Sequence, residues 1–325
     1  MRAVLCKAFG ESLALEEVAA PEPGPGEVLI DVRAAGVNFP DLLITQGLYQ
    51  SRPPLPFAPG FEVAGRVSEV GDGATSMSIG DRVMATFEYG GYAEQAVAPE
   101  ASVVRLPDEM SFEEAAGFPI AYGTVYHALI DRAALQEGET LLVTGASGGV
   151  GLAAVQVGSL LGARVIAAVG SPTKAELTRR HGAADTIDYQ TEDLRERVKQ
   201  LTGGAGADVI FDPVGGEVFD QCVRSVAWGG RLLVIGFTSG RIPEVPTNLV
   251  LLKGSSIVGV FWGGFMMRDP GQSRGNFLRL FAWLDDGVIS PYISAVYPLD
   301  RATEAMEAVA ARRTTGKLVL DMGRR

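Results

Sequence analysis

Residues 145–151 read Gly-Ala-Ser-Gly-Gly-Val-Gly. An apolar strand is expected just before them, Leu141 to Thr144, and a helix just after, Val150 to Leu161. Glycines in such a turn let the chain fold back sharply, bring backbone N–H groups up to a pyrophosphate, and seat the helix close on the sheet. Ala146-x-Gly148-x-x-Gly151 keeps the spacing of the dinucleotide fingerprint, with Ala at its first site. Taken alone, such a run is as readily a plain glycine-rich turn. Its place at the head of a strand–helix series makes it a nucleotide loop, with Ser147, Gly148, Gly149 and Val150 at the phosphates.

The end of the next strand distinguishes the two nicotinamide cofactors. An NAD site wants an Asp or Glu about 20 residues past the loop to bind the ribose hydroxyls. This chain has Gly170-Ser171 there, followed by Lys174. No carboxylate repels a 2′-phosphate, and a hydroxyl and an ammonium stand ready to hold it, so NADPH is the expected cofactor. The competing reading of Lys174 is a solvated charge on the first turn of a helix.

These residues need a scaffold. From about residue 122, short apolar strands alternate with helices: strands at 164–169, 186–188, 208–211, 231–236 and 256–261, helices at 174–181, 192–201 and 217–227. Together with the strand at 141–144 they predict a parallel sheet covered on both faces, the doubly wound Rossmann architecture. Before residue 120 the texture is β-rich, with strands at 26–35, 61–70, 81–86 and 92–97 and one helix after Asn38, where Pro40 fits the first turn. After about residue 265 come helices at 275–285 and 300–312 and a last strand at 317–321, a tail too short to bury itself and so expected to return to the first domain.

Composition removes other classes. With 28 Lys and Arg against 39 Asp and Glu the net charge is −11, which disfavours nucleic acid and anionic membrane surfaces as partners. Two cysteines, Cys6 and Cys222, and two histidines give neither a disulfide framework nor a zinc-finger spacing. Charges near the N-terminus interrupt any signal-peptide core, and a cytoplasmic, reduced protein is expected. Thr140 to Ala163 carries no charge over 24 residues, but its glycines break it into strand, turn and helix, and no membrane span is expected.

Several further motifs occur: Ala35-Gly36-Val37-Asn38-Phe39-x-Asp41, Gly47-Leu48-Tyr49, Pro59-Gly60-x-Glu62-x-Ala64-Gly65-x-Val67, Gly80-Asp81-Arg82-Val83, Gly91-Tyr92-Ala93-Glu94 and Gly316-Lys317-Leu318-Val319-Leu320. With the glycine loop they resemble, over essentially the whole length, the zinc-independent quinone oxidoreductases of the medium-chain dehydrogenase/reductase superfamily. The resemblance implies a GroES-like catalytic domain from residues 1–121 and 266–325, with a Rossmann domain, 122–265, inserted into it. Substrate would enter between the domains, beside the nicotinamide. It further implies Thr124 near the nicotinamide ribose or amide, Tyr189 and Lys317 near the adenosine phosphate, and the loops around Phe237 and around Phe261 and Trp262 against the nicotinamide. For Phe261 and Trp262, core or interface packing is the alternative. A homodimer joined through the strand at 256–261 is also implied.

Where the zinc-dependent alcohol dehydrogenases place a zinc-binding Cys, this sequence has Asn38, and where they have Gly-His-Glu it has Gly60-Phe61-Glu62. With no thiolate or imidazole there, no metal is expected. Without a Lewis acid, the fitting acceptors are already electron-poor, a quinone or an alkene conjugated to a carbonyl, which take hydride at carbon and spread the charge onto oxygen. Asn38 is then a candidate to hydrogen-bond the developing oxyanion or hold the ribose, Asp41 to orient a water or ribose hydroxyl, and Tyr49 to donate a proton. Asn38 as a plain helix cap is the competing assignment. Glu62 is expected to be a structural carboxylate. The alternatives in function are an enone or enoyl-thioester reductase on the same scaffold and a non-catalytic NADPH-binding sensor.

Overall fold

A computed structural model describes residues 1–324. Turn-punctuated strands build the first part: β1 (Arg2–Leu5), β2 (Ala14–Glu17), β3 (Glu27–Val37), α1 (Phe39–Thr45), β4 (Glu62–Val70), β5 (Arg82–Thr86), β6 (Gln95–Pro99), β7 (Val103–Arg105) and α2 (Phe112–Ala116). The series that follows is α3 (Pro119–Tyr126), β8 (Thr140–Val143), α4 (Gly149–Leu160), β9 (Arg164–Val169), α5 (Pro172–Arg180), β10 (Asp185–Asp188), α6 (Leu194–Leu201) and β11 (Ala207–Asp212). It continues with α7 (Gly216–Ser225), β12 (Val226–Val234), α8 (Thr247–Lys253), β13 (Ser256–Gly259), α9 (Trp262–Arg268) and α10 (Pro270–Asp285). The chain ends with β14 (Ile293–Pro298), α11 (Ala302–Ala310) and β15 (Lys317–Asp321).

Two units result, one of Met1–Ile120 together with the chain from Pro291 on, the other Ala121–Ser290. In the first, a seven-stranded sheet runs β14-β15-β3-β4-β5-β7, with β6 also paired to β3. The C-terminal strand is thus built into the N-terminal sheet: β15 lies antiparallel to β3 with Leu318 opposite Val37. Val28, Ile30, Val63, Val83, Val103, Leu299 and Leu320 fill its core.

The second unit holds a six-stranded sheet in the order β10-β9-β8-β11-β12-β13, every pairing parallel. The order reverses between β8 and β11, which is where an open α/β sheet forms a ligand crevice at its carboxyl edge. This is the doubly wound fold expected. β13 forms one edge of the sheet, with Ile257 partly exposed. Among the described residues, no helix is long and apolar enough to cross a membrane.

The return to the first unit comes at residue 291 rather than 266. α10 is the reason: its Phe277 meets Trp262 edge-on and Phe281 lies beside Phe277, while Trp283 lies tilted against Tyr126. These aromatic contacts bind the helix to the second unit.

Candidate active site

β3 runs into α1 through Asn38, and the first turn of α1 puts Asp41 back toward that junction. Asn38 stands at the N-cap position of α1 and the Asp41 side chain reaches back to its N–H, but the Asn38 side chain makes no capping hydrogen bond, so the plain helix cap does not account for it. The Asp41 carboxylate accepts the N–H of Asn38 at 2.6 Å, the N–H of Gly60 at 3.1 Å and the hydroxyl of Tyr92 at 2.9 Å. It is fully buried. Asp41 therefore corrects the expectation that it orients a water or ribose hydroxyl: its oxygens hold together α1, the turn before β4 and Tyr92.

Burial pushes the Asp41 carboxyl up to about 7 against the hydrogen bonds and the Lys317 charge that favour its ionised form. A carboxyl raised above its unfolded value adds stability at low pH that is lost as pH rises through about 7. Relative to Asp41→Asn, the wild type should be more stable at pH 5 than at pH 8.5, by roughly 2–3 kcal/mol in the difference. Urea unfolding of both proteins at the two pH values measures it. A difference independent of pH would refute the assignment.

The Asn38 amide faces a second buried group. Its nitrogen donates to Glu62 Oε1 at 2.9 Å and, at 3.5 Å, to the Gly36 carbonyl, while its oxygen accepts from Lys317 Nζ at 2.6 Å. Lys317 also donates to Glu62 Oε1 at 2.7 Å and to the Val37 carbonyl at 3.2 Å, so all three ammonium protons are used. Glu62 Oε2 accepts the N–H of Ile120 at 2.8 Å. Gly36 makes room for this: a Cβ there would lie 2.2 Å from Glu62 Oε1 and 2.3 Å from the Ala116 carbonyl oxygen. Lys317 is thus not the adenosine-phosphate ligand expected; it is the buried counter-ion of Glu62. Glu62 is structural, as expected, but its partner is invisible in any local pattern. The Asn38 donors point inward, to Glu62 and Gly36.

Tyr49 is half-buried, with its ring edge-on to Phe61 at 5.1 Å. Burial, then the charges of Glu88 and Asp41, push its phenol upward and keep it neutral, a reluctant proton donor. Cys6, Ile44 and Phe57 share its cluster.

In the second unit the glycine loop leaves β8 and opens α4. Gly145 has φ +55°, the left-handed region that only glycine enters without cost. Gly148 is the N-cap of α4, extended and with no side chain capping the helix. Gly149 and Val150 open the first turn, and Ser147 is buried beside them. Gly151 lies so close to the strand end that a Cβ there would sit 2.3 Å from the Gly145 carbonyl oxygen. A helix N-terminus free of side chains at the carboxyl edge of the central strand fits a dinucleotide pyrophosphate.

At the end of β9, Gly170 is covered by the Tyr189 ring, and the backbone N–H of Tyr189 donates to the Val169 carbonyl. Ser171 caps α5, accepting the N–H of Lys174 at 3.3 Å. Lys174 is partly buried, and desolvation lowers its ammonium. Gly170, Ser171, Lys174 and Tyr189 thus lie together at the carboxyl end of β9.

Thr124 lies buried on α3. Beside it, Gly123 is pressed by the Trp262 indole, 2.5 Å from where a Cβ would stand. Trp262 is buried and packs on Phe277, so its side chain belongs to the core; Phe261 is about half exposed. Phe237 folds over Gly215, and Thr238 and Ser239 donate to the carbonyls of Pro213 and Val214. Asp212, unforeseen, anchors this edge by accepting the N–H groups of Val214 and Gly215 and the hydroxyl of Thr144.

Comparison with known proteins follows this division. The alcohol dehydrogenase GroES-like domain matches residues 24–108, and the zinc-binding dehydrogenase domain matches residues 149–282. The chain is 41% identical over 324 residues to the quinone oxidoreductase-like protein 2 homolog of Nematostella vectensis, covering 98% of this chain and 88% of that one. It is 39% identical over 311 residues to the quinone oxidoreductase of Pseudomonas aeruginosa, covering 95% of each. The structure of Escherichia coli quinone oxidoreductase complexed with NADPH superposes with a TM-score of 0.94 at 31% identity, over 99% of this chain and all of that one. Zinc in the matched domain's description does not fit these residues. Glu62 is already neutralised by Lys317 at 2.7 Å, and no three His, Cys, Asp or Glu converge among the described residues. On sequence and fold together, the chain belongs to the quinone oxidoreductase family of the medium-chain dehydrogenases/reductases.

Proposed function

We propose that this enzyme uses NADPH to reduce quinones, or related alkenes conjugated to a carbonyl, without a metal. The observation that carries the reading is the buried Asn38–Glu62–Lys317 cluster, in which every charge has a partner and no acid stands free. Such a cluster offers neither a Lewis acid nor a strong general acid to an ordinary ketone, a contribution worth several kcal/mol. An electron-poor acceptor dispenses with it.

Bound NADPH would supply the hydride. Gly148, Gly149 and Val150 would hold the pyrophosphate with their backbone, and Ser171, Lys174 and Tyr189 the adenosine 2′-phosphate. Thr124, Phe237 and Phe261 would position the nicotinamide. Lys174 supports the phosphate role through its place beside the Ser171 hydroxyl with no carboxylate at the strand end. Relatives named quinone oxidoreductases, one of them solved with NADPH, support it as well. Solvent is the fitting proton source, since the Tyr49 phenol is held neutral by burial.

Steady-state oxidation of NADPH and NADH with 1,4-benzoquinone and with an enoyl-thioester tests the proposal. The expected result is kcat/KM at least tenfold higher with NADPH, quinone turnover exceeding enoyl-thioester turnover, and no loss on treatment with a chelator. A preference for NADH or inactivation by the chelator would overturn it. Faster enoyl-thioester turnover would make it an alkene reductase, and tight NADPH binding without turnover a sensor. The family also supports a homodimer through the open edge of β13, flanked by the half-exposed Phe261. Sedimentation velocity that finds monomer alone removes that assembly.

A further inference from the structure

Gln156 lies buried on α4, two turns beyond the glycine loop, among Leu152, Ala153, Val155 and Val157. A buried amide needs partners for its oxygen and its N–H groups. Its Oε1 accepts the hydroxyl of Tyr122 at 3.1 Å and the N–H of Ser290 at 2.8 Å. Its Nε2 donates to the Ser290 carbonyl at 3.0 Å and lies 3.2 Å from His181 Nδ1. The two bonds to Ser290 form a reciprocal pair, as a neighbouring strand would, and they fix which way the amide faces. His181 Nδ1 is then the acceptor, in keeping with a ring whose charged form burial disfavours.

These partners have a common property. The chain enters the second unit after Ile120 and leaves it after Ser290. Tyr122 is the second residue after the entry, and Ser290 is the last before the exit, followed by Pro291, which has no N–H and a fixed φ. We infer that Gln156 is a positioning residue that ties both chain crossings to the helix carrying the glycine loop.

The anchor holds the first turn of α3 and the segment leading to Ser290 to α4. It also sets the spacing between the loop that opens α4 and Thr124, two residues beyond Tyr122. What Thr124 meets rests on the function proposed above; the anchor itself does not.

Hydrogen exchange on the full chain, followed by mass spectrometry, tests this with Gln156→Leu, which keeps the volume and removes all four hydrogen bonds, and Tyr122→Phe, which removes one. Without cofactor, Gln156→Leu should speed exchange across residues 287–290 at least tenfold, with β8 and β9 unchanged. Tyr122→Phe should loosen residues 121–126 alone. With NADPH, Gln156→Leu should lower kcat severalfold while its Kd for NADPH stays within about twofold. Exchange at 287–290 that matches the wild type, or that rises evenly over both units as ordinary destabilisation, would overturn the inference. If Gln156→Leu does not fold, the Tyr122→Phe pattern decides, and uniform or unchanged exchange in it counts against the anchor. Should NADPH fail to protect residues 145–151 in the wild type, the cofactor reading fails, and the comparison without cofactor still judges Gln156.

Discussion

Lys317→Met lowers stability by about 3–5 kcal/mol, and most of that loss disappears when Glu62→Gln is added to the same chain. The single change leaves a fully buried carboxylate with the Asn38 amide and one backbone N–H as its partners, in a place where water does not reach. Breaking a buried pair costs more than the pair is worth, because the survivor keeps its charge without its solvation. In the double variant no charge remains. The amide that replaces the Glu62 carboxylate keeps its oxygen on the Ile120 N–H, and Asn38, released from Lys317, turns its own oxygen toward the new N–H groups. The residual cost should then be about 1–2 kcal/mol. Urea unfolding of the wild type, both single variants and the double variant gives the coupling energy directly. If the two single losses simply add, Lys317 and Glu62 act independently and the cluster is not the sealed unit described.

This cluster also marks where reading the sequence stops. Glu62 and Lys317 are 255 positions apart, and what brings them together is the pairing of β15 with β3, Leu318 opposite Val37, plus the missing Cβ of Gly36. Neither is a local signal. The strand at Lys317–Asp321 is legible from its apolar run, but its sheet neighbour is not, and without that neighbour nothing in the sequence turns Lys317 away from a phosphate. The loop at 145–151 is legible because strand, turn and helix all lie within about 20 consecutive residues, and the dinucleotide spacing is itself local. Asp41 stands out as a polar group at a helix start, yet its partners Gly60 and Tyr92 come from 19 and 51 residues away.

The domain boundary escapes the sequence for a different reason. Asp269 and Pro270 form an N-cap and first-turn pair, and Asp269 does accept the N–H of Gln272, so the start of α10 can be placed earlier than 275 on local signals alone. Its allegiance to the second unit depends on Phe277 and Phe281, apolar side chains that would suit either core equally well. The helices α8 and α9 are not foreseen at all: each begins without a side-chain cap, after Pro246 and Phe261, and each has only seven residues. Short helices of that kind are held by tertiary packing rather than by their own sequence.

The glycine loop separates a binding effect from a folding effect within three positions. Gly148→Ala should leave the protein folded and as stable as the wild type, yet weaken NADPH binding by about a hundredfold or more, roughly 2.7 kcal/mol. At position 148, φ −79° and ψ 177° suit any residue, and a Cβ meets only the Gly145 carbonyl oxygen at 3.5 Å, an ordinary contact. Nothing within the protein resists the methyl group; what it obstructs is the approach of the backbone to a pyrophosphate. Gly151→Ala meets the opposite situation, a Cβ at 2.3 Å from the Gly145 carbonyl oxygen and 2.8 Å from the Ala146 Cα. Both obstacles are backbone, so α4 must move off the sheet, and stability and binding should fall together. Fluorescence titration with NADPH beside a thermal melt distinguishes the two variants. Were Gly148→Ala to bind NADPH within threefold of the wild type, the pyrophosphate could not lie against the N-terminus of α4, and the cofactor would have to be placed elsewhere on the sheet edge.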